Sequence, residues 1–435
     1  MKILLIDVYS CFLDFALRCQ DAGHEVRWFQ SRLKDGTPSR VGDGLVPKIR
    51  DWESSMRWAD LIVLADNVRY LPALEGWRKR GAPIFGPNWA VAQWELDRAL
   101  GQKVLKEHGI AVMDSIPFRN VREAQAYLTK FPKRYVSKPN ADDNKALSYV
   151  SKSARDMMFM LEKWAKEGTI KTEFIFQEFV PGIEMAVGGW MGRDGFVGPW
   201  LENFEHKKLM NDDVSVNTGE TGTVLKYTND SKLAEMVLAP LEPELIRRGY
   251  TGYIDVSVMI DKRGTPWPLE FTNRMGWPLQ QILQCLHDGD PAQWMLDALH
   301  GLDTLTVKSD VATGIVMAIP DFPYCKLPVS EVSGFPVYGW GAMPQQHFHP
   351  AEIKSGDVWD QEGSKLRKDR GLVTSGSYVC VITGSGKTVE DSRESAYRNL
   401  KKIELPNSPM YRTDIGARVE KQLHELQKLG FCEDW

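Results

Sequence analysis

The chain has 435 residues, too many for a single hydrophobic core and enough for two to four domains. Its apolar content of 43% and charged content of 26% are those of an ordinary globular protein, and a net charge of -4 with both signs interspersed gives no support to nucleic-acid or membrane-surface binding. The six cysteines (Cys11, Cys19, Cys285, Cys325, Cys380 and Cys432) form no CxxC pair, which argues against a disulfide framework or a zinc knuckle and fits reduced thiols in a cytoplasm.

The opening MKILLID is too short before Asp7 for a signal peptide, and no later apolar run could span a bilayer. Residues 2–8 instead read as a buried first strand, 12–23 as a helix ending at Gly23, and HEVRWF as a second strand. With a strand over 58–64, a helix over 74–81 and a strand over 82–85, the first hundred residues look doubly wound. Such sheets bind ligands at the carboxyl ends of their strands. The first turn, Asp7-Val8-Tyr9-Ser10-Cys11, has no glycine, which disfavours a phosphate cradle of the dinucleotide-binding kind there.

Asn88 can cap one helix from 89 to about 108, with Arg98 near its middle. Lys138 ends a strand, RYVSK, and is followed by a polar connection. Residues 172–180 and 183–190 read as two strands around a turn at Pro181-Gly182, with Gln177, Glu178 and Glu184 as polar members. Next comes ENFEHKKLMNDDVSVNTGETG, a polar loop long enough to be functional, with residues suited to holding phosphates.

The chain is organised around residues 250–278. Ile254, Val256, Val258 and Ile260 alternate with Asp255, Ser257, Met259 and Asp261, the period of a half-buried strand. After Lys262-Arg263-Gly264, a second strand puts Trp267, Leu269 and Phe271 on one face and Glu270, Thr272 and Arg274 on the other. A hairpin pairing Asp261 with Pro266 sets Asp255 opposite Thr272 and diagonal to Glu270, so that two carboxylates converge. Unpaired they would repel; a cation between them, with oxygen ligands, points to Mg²⁺, and Arg274 beside them points to an anionic substrate. On the hairpin alone, a merely solvated polar face remains open.

Beyond it, 291–300 is helical, a composition shift near 301–310 marks a boundary, and strands at 314–319 and 378–383 with a helix over 389–401 suggest a smaller α+β unit. Two motifs are set aside. Gly384-Ser385-Gly386-Lys387-Thr388 lacks the first glycine of a P-loop, which Val381 replaces. His347 and His349 have no third metal ligand at a recognisable spacing and read as a solvated loop.

Taken together, IFGP at 84–87, AQWELDRAL around Arg98, QEFVPGIE at 177–184, EHKK from Glu205, VNTGETG from Val216, YTGYIDVSVMIDKRG and EFTNRMGWP resemble the ATP-grasp ligases, and within them the glycinamide ribonucleotide synthetase family. GIVMA at 314–318, VTSGSYVCVITGSGKTVEDSRESAY and YRTDIGAR resemble that family's closing domain. The resemblance implies an ATP-grasp fold of mixed α/β and α+β class: an N-terminal doubly wound preATP-grasp domain over 1–105, an ATP-grasp domain over 106–305 with a mobile lid at about 119–184, and a C-terminal α+β domain over 306–435.

It further implies ATP with its phosphates on Arg98 (usually lysine in the family) and Lys138. Gln177, Glu178, Phe179 and Val180 would line the adenine, and Glu184 would hold the ribose. Mg²⁺ would rest on Asp255 and Glu270, with Thr272 or Asn273 beside them. Lys207 and Arg274 are implied as catalytic, and His206, Asn217, Thr218, Gly219, Arg274 and Gly276 as substrate-binding. The expected reaction joins a carboxylate, glycine or a relative, to an amine through an acyl phosphate, releasing ADP and phosphate. A glycinamide ribonucleotide synthetase of purine biosynthesis and a decayed nucleotide-binding scaffold are the alternatives. Partners are expected to be small molecules, with a nucleotide-linked substrate left open, no membrane, and a monomer or homodimer.

The departures concentrate on the substrate parts. Residues 139–147 contain no glycine; Thr272 stands where the metal motif has asparagine; Trp277 and Leu279 replace an acidic pair; and the first turn lacks the glycines that would receive a ribosyl phosphate.

Overall fold

A computed structural model of the chain describes residues 1–139, 148–168, 173–362 and 364–435. The glycine-poor connection after Lys138 falls almost wholly outside them.

The chain opens with β1 (Lys2–Asp7), α1 (Leu13–Asp21), β2 (Glu25–Gln30), β3 (Lys48–Ile49), β4 (Leu61–Leu64), α2 (Leu71–Arg78) and β5 (Ile84–Phe85). The five strands form a parallel sheet in the order β3-β2-β1-β4-β5. Because side chains alternate along a strand, Ile3 and Leu5 of β1 pack with Leu13 and Ala16 of α1, whereas Leu4 and Ile6 pack with Leu71 and Leu74 of α2.

The single helix expected over 89–108 is two, α3 (Trp89–Leu96) and α4 (Arg98–Glu107). Asn88 caps the first by accepting from Val91 N–H at 3.0 Å. Asp97, extended at φ -115° and ψ 97°, ends it and caps the second by accepting from Leu100 N–H at 3.1 Å. Arg98 therefore starts a helix instead of riding in the middle of one.

A small antiparallel sheet, in the order β6-β9-β7-β8, joins β6 (Ser115–Phe118), β7 (Tyr135–Pro139), β8 (Tyr149–Val150) and β9 (Phe174–Glu178). Helices α5 (Val121–Lys130) and α6 (Ala154–Glu167) complete this lobe around Phe118, Leu128, Leu161, Trp164, Phe174 and Phe176.

The second body is an eight-stranded sheet. It contains β10 (Ile183–Met191) and β11 (Phe196–Glu205), then, after the β12 (Lys208–Met210) and β13 (Val214–Asn217) ribbon, β14 (Gly222–Thr228). Helices α7 (Lys232–Val237) and α8 (Glu242–Arg247) lead to β15 (Gly252–Ile260) and β16 (Pro266–Thr272). Then follow α9 (Leu279–Leu283), β17 (His287–Asp288), α10 (Gln293–Leu299), β18 (Thr306–Val307) and β19 (Val311–Ala318). The remainder holds α11 (Val329–Val332), β20 (Ser333–Pro336), β21 (Phe348–Pro350), β22 (Ile353–Glu362), β23 (Lys365–Ser375), β24 (Tyr378–Gly386), α12 (Val389–Leu400) and α13 (Ala417–Gln427). The sheet order is β16-β15-β10-β11-β14-β19-β24-β21, so strands from both sides of residue 305 share one sheet.

Two further expectations, both about strands, also change. The polar stretch over 202–222 is mostly not loop: β11 runs to Glu205, and β12 and β13 pair as a ribbon. Likewise β9 and β10, on either side of Pro181-Gly182, belong to different sheets, so 179–182 passes from one lobe to the other.

The two set-aside motifs also find their place. His347 and His349 are buried, not solvated: His347 Nδ1 and His349 Nε2 lie 3.1 and 3.0 Å from Thr383 Oγ1, and His349 Nδ1 is 2.9 Å from Asp14. Gly384 lies so close to α12 that a Cβ there would meet Ala396 N at 2.1 Å, and Lys387 pairs with Asp310 at 2.6 Å. Those residues serve helix packing and an ion pair.

Candidate active site

The β15–β16 hairpin pairs Asp255 with Thr272 and Ser257 with Glu270, the arrangement expected from alternation. It arrives there by a different route. At the turn Ile260, not Asp261, faces Pro266, and a bulge at Leu269 absorbs the one-residue difference. In consequence Trp267 shares the face of Glu270, while Pro268 joins Phe271 on the buried side; the expected grouping of Trp267 with Leu269 and Phe271 is not found.

Glu270 meets cations from two other elements. Arg98 Nη2 at the start of α4 lies 3.2 Å from its Oε2, and Lys207 Nζ, just beyond β11, lies 3.8 Å from its Oε1. Lys207 also reaches Glu184 of β10 at 2.8 Å and Glu205 of β11 at 3.1 Å. Burial alone would raise the Glu270 carboxyl, but Lys207 and Arg98, with Lys138, bring it down to about 2. Burial works against the Lys207 ammonium too, yet Glu205, Glu184 and Glu270 raise it well above its ordinary value. Lys138, at the end of β7 in the small lobe, is pushed down to about 7 by burial and by Arg98. The site is thus a ring of alternating charge between the two lobes.

Asp255 behaves differently. It is 2% exposed, accepts from Tyr253 Oη at 3.0 Å, and its Oδ1 has no hydrogen-bond partner among the described residues. Burial, with Glu205 nearby, raises its carboxyl to about 8. A buried carboxyl with an unused oxygen, held toward its protonated form by burial and by the charge of Glu205, is what a divalent cation would ionise and complete. Among the described residues no group of three or more His, Cys, Asp or Glu is arranged to hold a metal by itself. One or two carboxylates, with nucleotide phosphates as the remaining ligands, suit Mg²⁺ in particular, so the residues present fit it.

Asn273 lies apart from this pair. Its Nδ2 donates to Val91 O at 2.5 Å, its Oδ1 accepts from Asn67 at 2.8 Å, and its N–H donates to Glu95 at 2.8 Å. Thr272 stays on the Asp255 face, half-buried. Arg274 Nε stands 3.3 Å from Glu95 Oε1, and Gly276 follows it before Trp277.

On the lobe connection, Gln177 is buried and donates to Ser115 Oγ at 3.0 Å. Glu178 is exposed and pairs with Lys133 at 3.0 Å, while Phe179 donates its N–H to Arg134 O and carries that guanidinium 3.4 Å over its ring. Val180 is half-buried beside them.

In the β12–β13 ribbon, Thr218 donates to Lys207 O from both N–H (2.7 Å) and Oγ1 (2.9 Å), so it fixes the lysine's backbone. Asn217 is exposed and pairs with Lys208, and Gly219 faces open space. His206 does not face the ring: it is fully buried, Nε2 accepts from Gly416 N–H at 3.2 Å, and burial, with Arg418 and Arg412, pushes it down to about 3.

Glu95, Glu205 and Glu220 were not among the expected site residues. Glu205 could have been found, since alternation puts it on the same side as Lys207. Glu95 and Glu220 are joined to the site only through the fold.

Residues 97–279 match the family described as phosphoribosylglycinamide synthetase, ATP-grasp (A) domain. The phosphoribosylamine–glycine ligase of Ralstonia nicotianae is 27% identical over 356 residues, 79% of this chain and 80% of that protein. The crystal structure of the Thermotoga maritima phosphoribosylamine–glycine ligase superposes with a TM-score of 0.69 at 20% identity, covering 95% of this chain and all of that one. The biotin carboxylase domain of the Hydrogenobacter thermophilus 2-oxoglutarate carboxylase, solved with MgADP and bicarbonate, superposes at 0.61 with 11% identity over 94% of this chain and 91% of that one. With a matching ATP-grasp domain and curated relatives over most of its length, the chain is an ATP-grasp ligase of the carbon–nitrogen kind, similar to phosphoribosylamine–glycine ligase.

Proposed function

We propose that this protein joins the carboxylate of glycine, or of a close relative, to an amine other than phosphoribosylamine, with ATP cleaved to ADP and phosphate. The observation that carries the reading is Lys207 held among Glu184, Glu205 and Glu270, with Arg98 and Lys138 completing a cationic bed between two lobes. Phosphoryl transfer needs little covalent chemistry from a protein and much positioning and charge neutralisation, which such a bed provides.

In the first step a carboxylate oxygen attacks the γ-phosphorus and ADP leaves, giving an acyl phosphate. Arg98, Lys138 and Lys207 balance the charge that develops on the transferring group. In the second step the amine nitrogen attacks the acyl carbon, phosphate leaves, and the nitrogen gives up a proton. Asp255 and Glu270 would hold Mg²⁺ with the Thr272 hydroxyl beside them, and the metal when bound supplies Lewis-acid neutralisation of the nucleotide phosphates. Arg98 and Lys207 keep Glu270 ionised, the form that a metal requires.

The adenine would lie against 177–180, where the chain passes between lobes, with Glu184 toward the ribose. Closure of the lobe at about 119–184 would protect the acyl phosphate from water. In this reading 1–105, 106–305 and 306–435 act as three functional units, although the last two share a sheet. Among the described residues no helix is long and apolar enough to cross a membrane, and all six cysteines are free, in keeping with work in a reducing compartment such as the cytoplasm.

Nucleotide product analysis tests the reading. With ATP, Mg²⁺ and glycine, hydroxylamine should trap the activated carboxylate as glycyl hydroxamate with stoichiometric ADP, while phosphoribosylamine should not be taken up as acceptor. The absence of hydroxamate with glycine and with related amino acids would sink the ligase reading. Glycinamide ribonucleotide among the products would restore the family's own acceptor.

A further inference from the structure

At the carboxyl ends of β1 and β4, the place where a parallel sheet offers N–H groups to a ligand, those groups are already taken. Asp7 accepts from Tyr9 N–H at 3.0 Å and from Phe12 N–H at 2.9 Å. Asp66 accepts from Val8 N–H and from Val68 N–H, each at 3.1 Å. The turn between them has no glycine, yet Ser10 adopts φ 63° and is tied by its hydroxyl to Ser39 at 2.8 Å. The loop that could have wrapped a phosphate is wrapped around the protein's own carboxylates.

More acidic groups lie near this loop. Cys11 feels Asp7, Asp66, Glu352 and Arg274, and Tyr378 feels Glu220, Cys11 and Glu352, so these side chains share one neighbourhood. Arg274 is the cation there, and it stands 3.3 Å from Glu95. Glu205, Lys207, Asp255 and Arg274 all act on the Glu220 carboxyl, which places it near the phosphoryl site.

Glu220 is only 7% exposed, and its Oε1 has no hydrogen-bond partner among the described residues. Burial, with Glu205 nearby, raises the Glu220 carboxyl well above its ordinary value, and a buried carboxyl oxygen left without a donor is costly; a bound cation would relieve both. Thr221, next to Glu220, accepts from Val316 N–H of β19, whose Ala318 pairs with Tyr378; the Tyr378 and Trp277 rings lie 4.2 Å apart, with Phe322 against Tyr378, and aromatic faces accept an organic ammonium readily.

We propose that the acceptor of this ligase is an organic amine free of phosphate, received as its ammonium by Glu220 against the Trp277–Tyr378 wall, with the Glu220 carboxylate taking the proton that frees the nitrogen to attack. The proposal rests on the ligase reading and names the class of its second substrate. A phosphate-bearing acceptor would meet Asp7 and Asp66 where it needs N–H donors. An ammonium would meet the unpartnered oxygen of Glu220, near the Lys207 charge of the bed where the acyl phosphate forms.

The test is thermal denaturation of the full chain with ADP and Mg²⁺, using benzylammonium and ribose 5-phosphate as probes. Benzylammonium should give a saturable rise in Tm, as a native-state ligand does, and ribose 5-phosphate none. Glu220→Gln should keep the ADP-dependent rise, which reports an intact fold, and weaken benzylammonium by about thirtyfold or more. A saturable rise with ribose 5-phosphate, no rise with benzylammonium, or undiminished benzylammonium binding to Glu220→Gln would each overturn the proposal. Hydroxamate formation needs neither probe, so the loss of that activity with ammonium binding intact would count against the ligase reading alone.

Discussion

Arg98 Nη2 lies 3.2 Å from Glu270 Oε2, and the same guanidinium donates from Nη1 to Leu269 O at 3.1 Å. The first residue of α4 is thereby clamped to the bulge of β16, and the Glu270 carboxylate is both ionised and aimed. Replacing Glu270 with Ala should lower Mg²⁺-dependent ADP formation by about a hundredfold or more, while ADP still raises Tm. Arg98→Lys keeps the charge but loses one arm of the clamp, so it should cost less than Arg98→Ala. Equal losses in the two Arg98 variants would contradict the clamp.

Lys207 is the shared counter-ion of Glu184, Glu205 and Glu270. Lys207→Met leaves those carboxylates facing one another. With the lysine side chain 30% exposed, solvent moderates the cost, and a loss of about 1–3 kcal/mol in unfolding free energy is expected together with loss of hydroxamate formation. Lys207→Arg should recover much of the stability. Denaturant unfolding of the three proteins measures this, and an unchanged midpoint in Lys207→Met would show that the charge ring contributes nothing to the fold.

Asp7 gives a pH signature. Burial raises its carboxyl to about 6, against an ordinary value of 3.8, so the folded protein holds a proton there that the unfolded chain has released. Its contribution to stability is fully present below the unfolded value and is lost as pH rises through about 6, by roughly 3 kcal/mol at most. Asp7→Asn should be less stable at low pH, because one of the two oxygens, Oδ1 accepting from Tyr9 or Oδ2 accepting from Phe12, becomes an amide nitrogen, and its Tm should fall less steeply between pH 4 and about 6. Parallel Tm curves for the two proteins would refute the assignment.

Gly384 and Lys387 test the packing account of the glycine-rich turn. Gly384→Ala forces a Cβ into the Ala396 backbone and should cost about 1–3 kcal/mol of stability, whereas Lys387→Ala removes only a surface pair with Asp310. ATP affinity should be unchanged in Lys387→Ala. A tenfold loss of affinity, read by equilibrium binding, would reopen a nucleotide role there.

Local alternation made the central hairpin legible, because a strand's two faces follow from the period of its own residues, and the Asp255–Thr272 pairing emerged even though the turn register was off by one. The bulge at Leu269 was not legible. It replaces no residue type, and the strand closes its register only against the β15 partner. The single helix expected over 89–108 is broken at Asp97, which can cap as well as continue a helix and here caps α4, next to an Arg98 that reaches Leu269 and Glu270 across the fold.

By itself, then, the amino-acid order determined the first buried strands, the central hairpin and the charged residue types, which are properties of neighbours along the chain. Tertiary structure alone decided that Asn273 turns to Asn67 and Val91, that His206 is sealed behind Gly416, and that Glu95 and Glu220 join the site. It also decided that Asp7 and Asp66 occupy the N–H groups of the first turn. The physical reason is common to all of these. A charge or a hydrogen-bonding group takes its role from the groups that surround it in space, and in this chain those groups come from strands and loops far away in sequence.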